Sequence, residues 1–457
     1  MKSKEQSTNM LSRFSVFVEQ EQLWQPEDRL LIALSGGLDS VVLTHLAVGL
    51  GTQCALAHCN FGLRGEESLR DEEFCAAFAR ERGLQLFNKR FDTYGFAYQQ
   101  GISVEMAARE LRYAWFSELI ATHGFKGILT GHHADDQVET MLLNLIRGTG
   151  ISGLRGMLPL AGQVIRPMLP FFREEILQFA AGAGLRWVED STNASVEIKR
   201  NKIRHAIIPA LESLNPAFRD VALRTISNVR QAELIYQQKI EEVMEPLLSG
   251  NPDMIRISIT GLMKLPYRQV FLYEYLSGFG FNRAVADAVN RSLEGISGKR
   301  FSSASHRLVR DRAYLIITPV RPDEDEEEGW QYLINRDETL LRSPLSMSVS
   351  RLPADGYSLQ DERAIAALDL DRLSFPLTLR KWQHGDTFQP LGMNNKRKLS
   401  DFFTDLKLSL PEKENTWVVL SDEKIVWVVG YRIDHRFRIT RSTKRVFEMK
   451  LNRHTAG

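Results

Sequence analysis

The stretch SGGLDS, Ser35 to Ser40, has the residue types of a phosphate-binding turn. It follows the apolar run RLLIALS and precedes another apolar run, so it connects a buried strand to a helix. Two glycines let backbone N–H groups point into the turn, two serines add hydroxyl donors, and the helix start adds partial positive charge. The residues predicted to bind phosphate are Ser35, Gly36, Gly37, Leu38, Asp39 and Ser40.

Asp39 leaves two interpretations of this stretch open. A carboxylate beside bound phosphates would repel them unless a Mg²⁺ ion lay between, which makes Asp39 a predicted metal ligand. Alternatively, the stretch is an ordinary glycine turn in which Asp39 caps the following helix. It is neither a Walker A loop nor a dinucleotide fingerprint, since it lacks the G-K-[ST] ending of the first and the third glycine of the second.

Two acids three residues apart, Asp136 and Glu139, form a second candidate site on a predicted helix over 134–147. Residues at this spacing share a helix face, and both acids are offset from the apolar stripe. Together they could bind an ammonium group through charge-assisted hydrogen bonds. Acids also favour any helix start through the helix dipole, so a solvated helix start explains the pair equally well.

A polar stripe of Glu105, Arg109 and Arg112 follows one face of a predicted helix over 103–123. An exposed ladder of salt bridges would explain the stripe. A planar guanidinium also suits phosphate oxygens, so the stripe could instead contribute an anion ligand.

Alternating strands and helices in the first half predict a parallel sheet with helices on both faces. Ligands of such sheets bind at the carboxyl ends of the strands, where the Ser35–Ser40 turn and the pair His132–His133 both lie. The predicted strands are 29–35, 53–60, 84–91 and 126–131, and the predicted helices are 39–48, 66–82, 103–123 and 134–147.

The composition is that of a multidomain globular protein. The chain has 457 residues and a net charge of +1, so two or three domains are expected, and any nucleic-acid surface must be a local patch. Three cysteines without a C-x-x-C pair argue against a disulfide scaffold, zinc or an iron–sulfur cluster. The N-terminus lacks the apolar core of a signal peptide, and no window of 18 residues is wholly apolar. We therefore expect a cytoplasmic protein without a membrane segment; the sequence does not indicate an oligomeric state.

The SGGLDS stretch resembles the PP-loop of the ATP-pyrophosphatase superfamily, whose members activate a carbonyl-type oxygen with ATP and release pyrophosphate. Other segments between residues 29 and 215 are similar, in order, to those of the tRNA(Ile)-lysidine synthetase family. The C-terminal segment KRKLSDFFTDLKLSLPEKENTWVVLSDEKIVWVVGYRID is similar to that family's C-terminal domain. The matching segments are HCNFGLRGEES (58–68), EMAARELRY (105–113), GHHADDQVET (131–140), LIRGTGISGLRGM (145–157), IRPML (165–169), EDSTN (189–193) and RNKIRHAIIPAL (200–211).

The resemblance implies an adenine-nucleotide α-hydrolase-like fold and an ATP- and Mg²⁺-dependent ligase. Its substrates would be L-lysine and the isoleucine tRNA with a CAU anticodon, whose wobble cytidine becomes lysidine. The resemblance places ATP on the Ser35–Ser40 turn and Arg112, and it places lysine on Asp136 and Glu139. The implied catalytic residues are Asp39, Arg204 and, in a supporting role near the nucleotide, His133.

Two basic clusters suggest a polyanion surface, although either could be an ordinary solvated face. Seven Lys or Arg residues lie in 199–230 and eight in 432–453, and a run of acids, Asp323 to Glu328, is interpreted as an exposed linker. The predicted domains are a PP-loop catalytic domain (1–230), a helical and mixed tRNA-contacting middle domain (235–320), an acidic linker (321–332) and a small β-rich α+β tRNA-binding domain (333–457).

Three other functions stay open. A tRNA thiolase of the same superfamily would need catalytic cysteines, whereas Cys54, Cys59 and Cys75 are better explained as buried structural residues. A non-catalytic tRNA-binding PP-loop protein would not need the acids described above. A synthetase acting on a small molecule would not need the basic clusters.

Overall fold

The computed structural model of the chain falls into two compact units, Met1–Gln237 and Gln238–Gly457. The acidic run Asp323 to Glu328 and most of the EDSTN segment lie outside the residues that the structure describes. The described residues are 2–189, 198–320, 330–358 and 363–452.

One six-stranded sheet forms the centre of the first unit. Its strands are β1 (Arg29–Ala33), β2 (Gln53–Asn60), β3 (Leu86–Arg90), β4 (Gly127–Leu129), β5 (Leu160–Ala161) and β6 (Val164–Ile165). Their order is β3-β2-β1-β4-β6-β5, and all neighbours are parallel except β5 and β6. The predicted parallel sheet is confirmed, and the structure adds an antiparallel hairpin at one edge.

Helices pack on both faces of this sheet, as predicted. The four predicted helices correspond to α2, α3, α5 and α6 of the following set. The helices are α1 (Lys2–Gln20), α2 (Leu38–Gly49), α3 (Glu66–Glu81), α4 (Thr93–Gln100), α5 (Val104–His123), α6 (Ala134–Arg147), α7 (Ile151–Leu154), α8 (Arg173–Gly182), α9 (Ile198–Lys202), α10 (Ile208–Leu214) and α11 (Phe218–Met244), with a π-helical turn at Ile203–Ile207.

The central strand β1 shows why the sheet needs helices on both sides. Successive side chains of a strand point to opposite faces. Leu30 and Ile32 therefore enter the core formed with α1, α2 and α8, whereas Leu31 enters the core formed with α5. All three side chains are fully buried. Burial on both faces explains the continuous apolar run that precedes the SGGLDS turn.

The strand order also determines where a ligand can bind. The chain passes from β1 to β2 on one side of β1, and it later returns to place β4 on the other side. A crevice opens at the carboxyl ends of β1 and β4 because the connections leave in opposite directions there. The turn after β1 and the His132–His133 pair after β4 both enter this crevice.

The second unit begins with an antiparallel sheet and three helices. The sheet order is β7-β8-β11-β10-β9, with α12, α13 and α14 between β8 and β9. The elements are β7 (Leu248–Asn251), β8 (Met254–Ser258), α12 (Ile259–Lys264), α13 (Arg268–Ser277), α14 (Arg283–Ser292), β9 (Arg300–Ser302), β10 (His306–Arg310) and β11 (Tyr314–Pro319).

The remainder of the second unit is rich in strands, as predicted. Its sheets have the orders β12-β16-β19-β20-β21, β13-β14-β22-β15 and β17-β18. The elements are β12 (Tyr332–Ile334), β13 (Leu340–Leu341), β14 (Met347–Pro353), β15 (Ile365–Asp369), β16 (Leu377–Lys381), β17 (Thr387–Phe388), β18 (Arg397–Lys398), α15 (Leu399–Asp405), α16 (Leu410–Glu414), β19 (Trp417–Ser421), β20 (Lys424–Val428), β21 (Arg432–Ile433) and β22 (Arg445–Leu451). Every helix in the described part of the chain is too short or too polar to cross a lipid bilayer.

Candidate active site

The turn between β1 and α2 is closed by its own two serines. The Ser40 hydroxyl donates to the Gly37 carbonyl oxygen at 2.9 Å and accepts from the Ser35 backbone N–H at 3.2 Å. The Gly37 N–H in turn donates to the Ser35 hydroxyl at 3.3 Å. Helix α2 starts at Leu38 without a side-chain cap, so Asp39 is not the helix cap that the alternative interpretation required.

Gly36 has a conformation and surroundings that suit no other residue. Its φ of +86° lies in the left-handed region, and a Cβ there would be 3.2 Å from a ring carbon of Phe74 and 3.4 Å from the Cys75 sulfur. Its carbonyl oxygen accepts from the Val188 N–H at 2.9 Å. The turn is therefore fixed from two sides, by α3 and by the segment after α8.

The two carboxylate oxygens of Asp39 have different surroundings. Oδ2 accepts from Arg173 Nη1 at 3.0 Å and lies 4.0 Å from His133 Nε2. Oδ1 is buried and has no hydrogen-bond partner. Burial raises the pKa of Asp39, and the nearby Asp136 carboxylate adds to this increase.

A divalent cation would satisfy the buried Asp39 Oδ1, so the site fits Mg²⁺. Across the described residues, no cluster of three or more His, Cys, Asp or Glu side chains could hold a metal on its own. Mg²⁺ typically binds one or two carboxylates and completes its shell with phosphate and water oxygens. Asp39 together with bound phosphates would meet this requirement.

The loop after β4 passes directly over Asp39. A Cβ on Gly131 would be 3.1 Å from both the carbonyl carbon and the Cβ of Asp39, so a larger residue would require the Asp39 backbone to shift by a few tenths of an ångström. The next residue, His132, has its Nδ1 2.9 Å from the Thr130 hydroxyl, and burial lowers the pKa of His132 to about 4. The loop therefore brings the histidine pair to the phosphate-binding turn.

His133 lies at the centre of three carboxylates. Its Nε2 is 3.6 Å from Asp136 Oδ2 and 4.0 Å from Asp39 Oδ2, and its Nδ1 is 3.4 Å from Asp135 Oδ2. Burial lowers the pKa of this histidine, but the three carboxylates outweigh burial, and the pKa is raised overall. The three carboxylates thus favour the protonated form of His133.

Asp135 anchors the start of α6 to two other helices. Its Oδ2 accepts from the Arg173 backbone N–H, and its Oδ1 accepts from Arg219 Nη1, both at 2.8 Å. Burial raises the pKa of Asp135, but contacts with His133, the Arg173 N–H and Arg219 outweigh burial and lower the pKa to about 2. Asp135 is thus an ionised structural residue between α6, α8 and α11.

Asp136 and Glu139 share one face of α6, as predicted, and both already have partners. Asp136 Oδ2 accepts from the His133 backbone N–H at 3.0 Å and so caps the helix. Glu139 is fully buried; its Oε1 accepts from Arg204 Nε at 2.6 Å, and its Oε2 lies 3.6 Å from Arg200 Nε. An ammonium group bound here would join an existing ion pair.

Arg204 is positioned by the apolar side of the segment that contains it. It lies in the π-helical turn Ile203–Ile207, where Ile203 and the following Ile208 pack against Val138 and Leu142 of α6. The guanidinium therefore faces Glu139 on the same helix. Of the basic residues counted in 199–230, Arg200, Arg204, Arg219 and Arg230 bind protein groups, whereas Lys202 and Arg224 are exposed.

Arg112 lies at the carboxyl end of β2 rather than in a ladder of salt bridges. Its guanidinium is 5.2 Å from the centre of the Phe61 ring, and that of Arg109 is 5.0 Å from the Tyr113 ring. Phe61 follows β2, the neighbour of β1, so Arg112 borders the same edge of the sheet as the phosphate-binding turn.

Comparison with known proteins shows the family of this chain. A PP-loop domain model matches residues 6–211, and models described as TilS substrate binding domain and TilS substrate C-terminal domain match residues 251–320 and 377–449. A tRNA(Ile)-lysidine synthase of Parabacteroides distasonis is 42% identical over 438 residues, covering 96% of this chain and 98% of the relative. The chain belongs to the tRNA(Ile)-lysidine synthase family. As a member of this family, it is an ATP-using ligase of the PP-loop class.

Two further lysidine synthases support membership of the family over the whole chain. That of Bacteroides thetaiotaomicron is 40% identical, covering 95% of this chain and 98% of the relative. That of Porphyromonas gingivalis is 36% identical, covering 94% of this chain and 96% of the relative. The similarity therefore spans the second unit, including the middle region in which the sequence alone showed no resemblance.

The cysteines of this family member do not suit sulfur transfer. Cys75 is fully buried as predicted, whereas Cys54 and Cys59 are only half-buried. Burial nevertheless raises the pKa of Cys54 to about 11 and that of Cys59 to about 12. A thiol with a raised pKa is rarely the thiolate that acts as a nucleophile. The thiolase alternative is therefore not favoured.

Three residues of the candidate site were missed by the sequence analysis: Gly131, Asp135 and Arg173. Gly131 and Asp135 lie within the quoted motif GHHADDQVET, and the double acid could have drawn attention to Asp135. Arg173 is 134 residues from its partner Asp39 and lies outside every quoted motif. Only the fold brings these two residues together.

Proposed function

We propose that the protein joins L-lysine to the C2 carbon of the wobble cytidine in the isoleucine tRNA with a CAU anticodon. ATP and Mg²⁺ would be its cofactors, and the cytoplasm its location. The observation that supports this proposal is the position of His133, within 4.0 Å of Asp39 and 3.6 Å of Asp136. Asp39, proposed to act on the nucleotide, and Asp136, proposed to bind the amine, thus both lie beside His133.

In the first proposed step, the C2 carbonyl oxygen of the cytidine attacks the α-phosphate of ATP, and pyrophosphate leaves. The N–H groups and hydroxyls of the Ser35–Ser40 turn bind the phosphates, together with Arg112 and the positive end of α2. Mg²⁺ held by Asp39 would supply charge neutralisation for the phosphates. A protonated His133 adds positive charge on the α6 side of the cleft.

In the second proposed step, the ε-amine of lysine attacks the activated C2 carbon, and AMP leaves with the former carbonyl oxygen. The amine has an ordinary pKa of about 10.4, so it must lose a proton before it attacks. Asp136 and Glu139 bind the ammonium form, with Asp136, Glu139 or a histidine as the proton acceptor. Arg204 is held beside the amine by Glu139, and we assign it a catalytic role there.

The remaining segments are proposed to hold the tRNA. We assign residues 1–230 to catalysis, 235–320 and 333–457 to tRNA contacts, and 321–332 to a linker. A splayed anticodon-loop base is easier to present to the crevice than a paired base. The product would pair with A instead of G, which changes the codon read from AUG to AUA.

An Asp39→Asn variant tests the nucleotide half of this proposal. Loss of the charge should reduce ATP-dependent pyrophosphate release by about 100-fold or more, since Mg²⁺ and its charge neutralisation are lost. Binding of the tRNA should change by less than about threefold, because phosphate-backbone contacts elsewhere are retained. Asp28→Asn is the control, because Asp28 is paired with Lys126 away from the crevice. Unchanged pyrophosphate release in Asp39→Asn would contradict the role of this acid.

A further inference from the structure

Arg173 contacts the phosphate-binding turn although no motif pointed to it. It is the first residue of α8, and its Nη1 donates to Asp39 Oδ2 at 3.0 Å. Its side chain is 45% exposed, compared with 26% for Asp39. The guanidinium therefore lies at the solvent side of the crevice, between bulk water and the predicted metal ligand.

The backbone of Arg173 is fixed while its guanidinium has room to move. The Arg173 N–H donates to Asp135 Oδ2 at 2.8 Å, and Asp135 is held by Arg219. Two residues earlier, the carbonyl oxygen of the fully buried Phe171 accepts from the Ala134 N–H at 2.8 Å. A rotation about the side-chain bonds can therefore move the charge without moving α8.

The ion pair on Asp39 Oδ2 opposes the binding of a divalent cation to the other oxygen of the same acid. A divalent cation bound to Asp39 would lie within a few ångströms of the guanidinium, and the two positive charges would repel each other. ATP brings several negative charges to the same place. A planar guanidinium binds phosphate oxygens with two parallel hydrogen bonds, which a lone carboxylate oxygen does not allow.

We infer that Arg173 exchanges partners: it neutralises Asp39 before the nucleotide binds and becomes a ligand of the ATP phosphates afterwards. The inference rests on the proposed function only in placing ATP on the Ser35–Ser40 turn. It assigns a phosphate ligand from α8, a helix that the sequence analysis did not connect with the nucleotide. It also explains why a half-exposed arginine is directed at a partly buried acid.

The test compares Arg173→Gln and Arg173→Lys with the control Arg13→Gln. Arg13 is also 45% exposed and forms an ion pair with Glu175 of α8. Arg13→Gln should therefore remove a similar ion pair from α8. Binding of ATP, pyrophosphate and adenosine is measured by calorimetry with Mg²⁺, in the absence of tRNA and lysine. Arg173→Gln should weaken ATP and pyrophosphate binding at least tenfold and adenosine binding less than twofold. Arg173→Lys should bind ATP and pyrophosphate with affinities between those of the unmodified protein and Arg173→Gln. Lysine keeps the positive charge but lacks the planar guanidinium.

Two outcomes would overturn the inference. Unchanged ATP and pyrophosphate binding in Arg173→Gln would show that the arginine is only a counter-ion of Asp39. Equal weakening of ATP and adenosine binding would show that it only supports the fold. Because neither tRNA nor lysine is present, a failure to form lysidine would not affect these results. Failure of the unmodified protein to bind ATP would contradict the proposed function and the inference together.

Discussion

At the scale of single residues, the candidate site is a balance of charges around His133. Asp39, Asp135 and Asp136 approach the imidazole from α2 and α6, and each carboxylate has a second, different contact. Asp135 binds Arg219, Asp39 binds Arg173, and Asp136 caps α6. The three acids are therefore not equivalent, and replacing each should have a different consequence.

Asp136→Asn should weaken the binding of L-lysine and leave the binding of ATP nearly unchanged. The asparagine side-chain oxygen can still accept from the His133 backbone N–H, so α6 should be retained, while a charged hydrogen bond to the ammonium group is lost. We expect the KM for L-lysine to rise by about 10- to 100-fold, with the KM for ATP changed less than about twofold. Steady-state kinetics with each substrate varied provide the measurement. Asp220→Asn is the control, because Asp220 is an exposed acid in the first turn of α11. A raised KM for ATP with unchanged lysine dependence would contradict the assignment.

At the scale of elements, glycines fix the distances between the parts of the site. Gly36 lets the turn after β1 pack against Phe74 of α3, and Gly131 lets the loop after β4 approach Asp39. At either position a methyl group would require neighbouring atoms to shift by a few tenths of an ångström. The geometry of the phosphate-binding turn therefore depends on contacts between elements as well as on its own sequence.

Gly36→Ala should weaken ATP binding, and the backbone strain of a positive φ should not account for the whole of this effect. Gly51 has a similar φ of +73°, but nothing lies within 4 Å of where its Cβ would be, so Gly51→Ala isolates the strain. Both variants should lose about 1–2 kcal/mol of unfolding free energy from the left-handed conformation. Only Gly36→Ala should also lose ATP affinity, by about tenfold or more, because the turn must shift away from Phe74. Equal ATP affinities in the two variants would rule out this role of the contact.

Glu72 ties helix α3 to the strands beside the turn. Its carboxylate accepts from Asn60 Nδ2 and Asn88 Nδ2 at 2.6 Å and from Arg90 Nε at 2.9 Å. The Arg90 hydrogen bond is the main reason that the pKa of Glu72 falls from 4.5 to about 2. The contribution of this carboxylate to the free energy of unfolding is therefore complete above pH 4.5, and it is lost as the pH falls towards 2.

Glu72→Gln should accordingly lower the unfolding free energy in a pH-dependent way. After allowance for solvent screening, we expect a loss of about 1–2 kcal/mol at pH 7. The difference between the variant and the unmodified protein should fall to about half or less at pH 3, because Glu72 is then protonated in the unfolded state and begins to be protonated in the folded state. Urea unfolding at the two pH values provides the measurement. A difference that is the same at both pH values would contradict this account.

The elements that follow from local pattern were predicted, and those that depend on distant partners were not. The apolar run before Ser35 and the helical spacing after Ser103 are local signals, and β1 and α5 match them. The edge strand β5 has two exposed residues, so no burial pattern marks it. For the site, spacing placed Asp136 and Glu139 on one face of α6. It could not show that Arg204 pairs with Glu139, because that pair joins residues 65 apart.

At the scale of the whole molecule, a net charge of +1 leaves no general attraction for a polyanion. We propose that the basic residues of 432–453 act as a local patch. Arg436 is bound by the buried Asp434 and supports the fold instead. Arg432, Arg441, Lys444 and Lys450 are exposed and could meet phosphates, whereas the exposed Arg445 pairs with Asp371.

Binding of the tRNA should weaken steeply with salt, because each phosphate contact releases counterions. The double variant Arg441→Glu/Lys444→Glu should bind the tRNA about tenfold less tightly and show a shallower salt dependence, with ATP binding unchanged. Lys424→Glu is the control, an exposed lysine of β20 outside the patch. Filter binding across a range of salt concentrations provides the measurement, and a flat response would contradict the basic-patch interpretation.

The most direct test of the central claim is to follow labelled L-lysine. The protein is mixed with ATP, Mg²⁺, labelled L-lysine and unmodified isoleucine tRNA bearing a CAU anticodon, and the RNA is then treated with mild alkali, which removes aminoacyl esters. We predict alkali-stable label on the RNA that disappears when the wobble cytidine is replaced. No stable label, with ATP and tRNA both bound, would contradict lysidine formation by this chain.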